Sequence, residues 1–167
     1  MSEELKQFVL IKGEAKELAE QDIDMSSEYV SWINQTPLRE MSESLKMLPE
    51  FTPKEVKDSI VESCTKDFRL AHFSSFDITF AMMGAMEPER EQLFRRLMND
   101  SENSRYLIWL RLKKNFPDYT FEDMKSVSKT EIDKICTEQL MEKSRLMQEY
   151  VKSMEEKEVP DDTEKKN

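Results

Sequence analysis

An all-α fold, a single compact irregular helical bundle of about six to eight helices, is what this sequence predicts, on three observations. Glycine occurs only 2 times in 167 residues, which leaves few of the tight turns that a sheet protein needs. Leu, Met, Glu and Lys abound and charged residues reach 36 %, a composition that favours helices. Thr and Pro recur just ahead of apolar runs at helical spacing, where Thr caps a helix and Pro fits its first position. The length suits one domain with a real core, so residues 1–157 are read as a single helical domain.

Each element has its own signal. Ser2, Glu3 and Glu4 read as a capped, acidic first turn, and Leu5, Phe8, Val9, Ala15 and Leu18 keep a helical stripe. A helix over residues 3–20 is therefore expected, a candidate for the periphery, although Phe8 to Ile11 also reads as a short strand stopped by Gly13. Ser26 and Ser27 can cap a short helix carrying Tyr29, Val30, Trp32 and Ile33. Thr36 and Pro37 restart the chain into Leu38, Met41, Leu45 and Leu48. Thr52 and Pro53 repeat the device, and Glu55 completes a capping box ahead of the clean stripe Val56, Ile60, Cys64 and Phe68.

From Phe73 to Met86 the only charge is Asp77, which predicts a buried, central helix. Glu87 and Pro88 open the next helix, with Leu93, Phe94, Leu97 and Met98 inside it. Tyr106, Leu107, Trp109, Leu110 and Leu112 form the densest apolar stretch, with Arg105, Arg111, Lys113 and Lys114 on the other face and in the last turn. After Pro117, Thr120 with Asp123 caps a short helix holding Met124 and Val127. Thr130 with Asp133 opens a long last helix through Ile132, Ile135, Cys136, Leu140, Leu146, Met147 and Val151. Residues 158–167 are polar and are expected to form a disordered tail.

Charge and composition rule down several functions. A formal charge of −10 disfavours duplex DNA or an anionic membrane as main partner. Between Arg90 and Lys114, seven cations face three acids, so this island carries +4 and the remainder −14. Such an island either pairs with acids of the same fold, the commoner outcome, or meets an acidic partner. With Gly13 and Gly84 the only glycines, no phosphate-binding glycine loop can form. His72 is the single histidine, flanked by Ala71 and Phe73, and reads as a structural, buried or half-buried imidazole. Residue 69 is Arg, so the paired Glu-x-x-His of di-iron bundles is absent. Cys64 and Cys136 stand in no Cys-x-x-Cys pattern and read as buried free thiols of a reducing compartment. No enzyme, cofactor or metal is expected, and a cytoplasmic location is.

One phrase occurs twice. Leu48, Pro49, Glu50, Phe51, Thr52, Glu55, Val56 and Lys57 match Phe116, Pro117, Asp118, Tyr119, Thr120, Asp123, Met124 and Lys125 in residue type. Pro ends one helix, the aromatic clamps the turn, Thr caps the next helix and the acid closes the box. Convergent punctuation and internal duplication both produce such a pair.

The second copy follows Leu107, Ile108, Trp109, Leu110 and Leu112, and continues through Phe116, Pro117, Asp118, Thr120, Glu122 and Asp123. Over residues 93–140 this pattern resembles the small helical tail assembly chaperones of tailed bacteriophages. The resemblance implies a non-enzymatic protein of the bacterial host cytoplasm that binds the long helical tape-measure protein during tail construction. The expected contact surface is Arg95, Arg96, Arg105, Tyr106, Trp109 and Arg111, which mixes cations with aromatics as interface anchors do. Trp32, Trp109, Met82, Met83 and Met86 read as core, or as an apolar groove for a partner helix. The alternative function is an acidic adaptor or inhibitor that binds a basic host protein by imitating nucleic-acid charge; homo-oligomers fit either reading.

Overall fold

The computed structural model describes residues 6–157, so the expected 158–167 tail lies outside the described residues. In chain order come β1 (Phe8–Ile11), β2 (Glu14–Glu17), α1 (Ile23–Asn34), α2 (Thr36–Met47), α3 (Lys54–Leu70), α4 (Ser75–Met82), α5 (Pro88–Met98), α6 (Ser101–Asn115), a 3-10 helix (Glu122–Ser126) and α7 (Lys129–Lys157). The fold is predominantly helical, as expected, with seven α-helices and one small hairpin among the described residues. None of these helices is long and apolar enough to cross a membrane.

The hairpin corrects the expected helix over 3–20. Lys12 and Gly13 both adopt positive φ, 50° and 81°, the backbone of a two-residue hairpin turn, and that turn pairs Ile11 with Glu14 and Phe8 with Glu17. Once strands form, the pattern has period two: Val9 and Ile11 are buried while Phe8 and Leu10 face out. The hairpin is not peripheral either, because Val9 and Ile11 pack with Ile108, Leu112, Met124, Ile132 and Ile135 in one of two apolar clusters.

The second cluster gathers Tyr29, Val30 and Ile33 of α1, Phe73 between α3 and α4, Leu93, Phe94 and Leu97 of α5, and Leu107 and Leu110 of α6. Helix α6 stands between the two clusters, giving Leu107 and Leu110 to one and Ile108 and Leu112 to the other. A helix apolar on both faces must be buried on both, so α6 is the central helix. The expected central segment, Phe73–Met86, forms only the short α4, whose Phe76 and Phe80 are 73 and 48 % exposed, with Met83 just after it 71 % exposed. Phe73, Ala81 and Met86 are buried, and so is the segment's one charge: Asp77 pairs with Arg90 at 3.0 Å and accepts from the Ser74 amide at 2.6 Å. Two neutralising partners make that burial tolerable.

Caps also differ in detail from expectation. Asp22, not Ser26 or Ser27, caps α1 by accepting from the Met25 amide at 2.8 Å. The Thr36 hydroxyl donates to Asn103 Oδ1 at 3.1 Å across the fold rather than capping α2. Ser128 Oγ accepts from the Glu131 amide at the start of α7. Helices α2 and α3 pack against each other as a hairpin, and α3 contains no buried residue. Arg96 of α5 ties this hairpin down by bridging Glu40 of α2 and Asp67 of α3 at 2.8 and 3.1 Å.

Candidate partner-binding groove

The cations of the basic island are mostly engaged by partners within the fold, although only Arg111 of the seven is buried. Arg96 spans the α2–α3 hairpin as described, and Arg95 pairs with Glu91 one turn earlier at 2.7 Å. Arg105 pairs with Glu102 and donates to the Val127 carbonyl at 3.2 Å, while its Nε is buried without a partner. Arg111 is only 5 % exposed; its Nε donates to the Ala19 carbonyl and its Nη1 to Gln7 Oε1, both at 2.7 Å. Burial pushes the Arg111 guanidinium below its usual range.

The aromatics are engaged in the same way. Tyr106 stacks flat on Trp32, with ring centroids 3.9 Å apart, and the Arg39 guanidinium covers the other Trp32 face at 3.7 Å. Tyr106 donates to Glu28 at 3.1 Å, and burial together with that carboxylate lifts its phenol to about 12. Trp109 donates to the Tyr119 carbonyl at 3.0 Å and meets the edge of Phe121. Asn103, 1 % exposed, joins these parts, since its Oδ1 accepts from Trp32 Nε1 at 3.0 Å and its Nδ2 donates to the Leu97 carbonyl at 2.9 Å. All six residues expected at the contact surface thus have polar groups engaged within this fold, Arg105 except for Nε. Arg95 alone borders an open concavity.

That concavity is a groove of about 470 Å³ between α5 and the first half of α7. Tyr29 and Leu107 form its floor, Phe94, Met98 and Ala81 one wall, and Cys136 and Leu140 the other. Arg95, Asn99, Asp133, Thr137 and Lys143 rim it. Lys143 donates to Gln21 Oε1 at 3.3 Å and has no carboxylate within 4.0 Å among the described residues. Burial first, and the nearby Arg111 charge second, push its ammonium below the usual lysine range. Burial likewise pushes the Cys136 thiol up, which keeps it protonated and unreactive. Cys136 and Cys64 are both free and half-buried.

The α7 wall is the part that the expected site left out. Its residues lie at helical spacing and were readable as an apolar stripe, but spacing alone does not tell which half of a stripe is covered. Ile132 and Ile135 are buried, whereas Leu140 is 63 % exposed. Of the Trp and Met set, Met86 is buried, Trp32 and Trp109 are half-buried, Met83 is exposed, and the Met82 side chain lies outside the described residues.

His72 is exposed rather than buried or half-buried, with its ring 6.0 Å from Phe68, because α3 ends just before it and turns it outward. No cluster of three or more His, Cys, Asp or Glu side chains is placed to hold a metal among the described residues. Compared with protein-family models, curated proteins and solved structures, the chain matches none.

Proposed function

We propose that this is a non-enzymatic protein-binding protein that holds a helical client, as the tail assembly chaperones of tailed bacteriophages do in the bacterial host cytoplasm. The observation that carries the reading is the groove between α5 and α7, lined chiefly by apolar surface with Gln21, Ser104 and Gln139 among its polar side chains. From Asp133 to Lys143 the α7 wall runs roughly 15 Å, about three turns of a client helix. An amphipathic helix laid in such a trough buries its apolar face, while the polar rim sets its register. Met98 in the wall adds a side chain that adapts to an irregular client surface. Residues 93–140, the stretch similar to the chaperones, supply Phe94, Met98, Leu107, Cys136 and Leu140, most of the groove's apolar surface.

Co-expression with fragments of a phage tape-measure protein, followed by size exclusion, tests this. A shared peak is expected, and Thr137→Trp, which fills the groove from its rim, is expected to abolish it. If no tail protein co-elutes, the reading is lost. If co-elution survives Thr137→Trp, the client sits elsewhere.

A further inference from the structure

The distal half of α7 carries an apolar stripe that the described residues of one copy leave uncovered. Leu140, Leu146, Met147, Tyr150, Val151 and Met154 are 44–63 % exposed. Leu140, Lys143, Met147, Tyr150 and Met154 follow one another at alternating steps of three and four, the spacing of a two-stranded coiled-coil seam. On the opposite face Arg145 pairs with Glu142 at 2.6 Å and with Glu149 at 2.5 Å, which leaves Lys143 as the one charge in the stripe.

We propose that this stripe is a homodimer seam, in which α7 of a second copy lies antiparallel along Leu140–Met154. Charge favours a second copy. Over residues 138–154, Glu138, Glu142 and Glu149 balance Lys143, Arg145 and Lys152, so this stretch of a chain of net charge −10 is neutral, and the whole of α7, with seven acids and six bases, carries −1. Two copies approach there without the repulsion that their bodies exert elsewhere. The positions flanking the seam, Ser144, Leu146, Val151 and Ser153, carry no charge that could select a different partner.

Area agrees. Six side chains exposed to this degree present on the order of 600 Å² per copy, and about 1,200 Å² for a pair is the lower edge of specific interfaces. Direction follows from the body. Stepped back from Leu140, the stripe reaches Cys136, which lines the groove with Leu140, and Lys143 donates to Gln21, so each body stands on the seam side of its own helix. A parallel pair would drive the two bodies together, whereas an antiparallel pair puts them at opposite ends. The second copy's Met154 end then enters the Leu140–Lys143 end of the groove, an isologous contact made twice.

The seam does not rest on the client reading, and its test contains no client. Sedimentation velocity of the full chain from micromolar to submillimolar concentration is expected to show a reversible dimer. Met147→Asp places a charge in the seam and is expected to weaken the dimer at least ~100-fold. Arg145→Ala, on the opposite face, should leave it within ~3-fold. Tyr150→Ala, which favours helix, reads the same seam if Met147→Asp frays α7 by circular dichroism, with an expected weakening of ~10-fold. A chain monomeric throughout overturns the proposal, as does a dimer untouched by Met147→Asp and Tyr150→Ala.

Discussion

The two Pro/Thr joints, 48–57 and 116–125, have the same order of residue types and opposite surroundings. In the second, the box closes in full: the Thr120 amide donates to Asp123 Oδ2 at 2.8 Å and the Asp123 amide to Thr120 Oγ1 at 3.3 Å. Phe116, Tyr119 and Phe121 pack against the apolar cluster, and Met124 is fully buried. In the first, Thr52 Oγ1 donates instead to the Pro49 carbonyl at 2.7 Å, no side chain caps α3, and Phe51 is 92 % exposed. The cause is one residue. Pro53 follows Thr52 where Phe121 follows Thr120, and Pro53 is extended (φ −55°, ψ 145°) where Phe121 is already helical (φ −62°, ψ −30°), so the box around Thr52 does not close. Local punctuation therefore breaks a helix in both places, but only a joint seated on a core becomes structure that the rest of the molecule depends on.

Three substitutions or titrations sharpen that contrast. The largest effect is expected from Met124→Ala, which opens a cavity under the second joint and should cost about 2–5 kcal/mol, whereas Phe51→Ala should stay within about 0.5 kcal/mol. Chemical denaturation of both variants measures the difference, and equal losses would erase the distinction. Next, Thr120→Val should cost about 1 kcal/mol through the lost cap, against a few tenths for Thr52→Val. Thermal melting of the pair reads this directly. The smallest effect is in acid. Lys12 first, then the Thr120 amide and hydroxyl, hold the Asp123 carboxyl down at about 2, below its ordinary 3.8. A depressed carboxyl contributes stability that is complete above the ordinary value and is lost as pH falls through the folded one. The Thr120 amide resonance should therefore move, and the joint loosen, between about pH 4 and pH 2.

Much of the fold was legible because helix boundaries are local. Pro37, Pro88 and Pro117 sit where chain segments start or stop, and Val56, Ile60, Cys64 and Phe68 do lie along one helix. What was hidden depends on partners remote in the sequence. Phe8 to Ile11 fits a helical stripe and a strand equally well, and the choice was made by the Lys12–Gly13 turn together with a core that arrives from beyond residue 107. The uncharged run at Phe73–Met86 suggested depth, yet hydropathy cannot separate a core helix from an apolar surface, and Phe76 and Phe80 are surface. The same gap governs the site. Internal pairing, the commoner outcome for a basic island, is what Arg96, Arg105 and Arg111 display, while the groove wall at Leu140 needed the packed fold to become visible.

The docked hairpin has a consequence for the order in which the chain can fold. Gln7 donates to the Ile135 carbonyl across 128 residues and accepts from Arg111 across 104. During synthesis the first strands emerge well before any surface that can receive them, since α6, the 3-10 helix and the root of α7 are all made later. An isolated two-stranded ribbon is marginal in water, so Val9 and Ile11 wait uncovered on the ribosome while α1 to α5 are translated. The hairpin, made before the surfaces that receive it, is thus among the last elements to settle, and its arrival closes the cluster of Ile108, Leu112 and Met124 at the root of the groove wall.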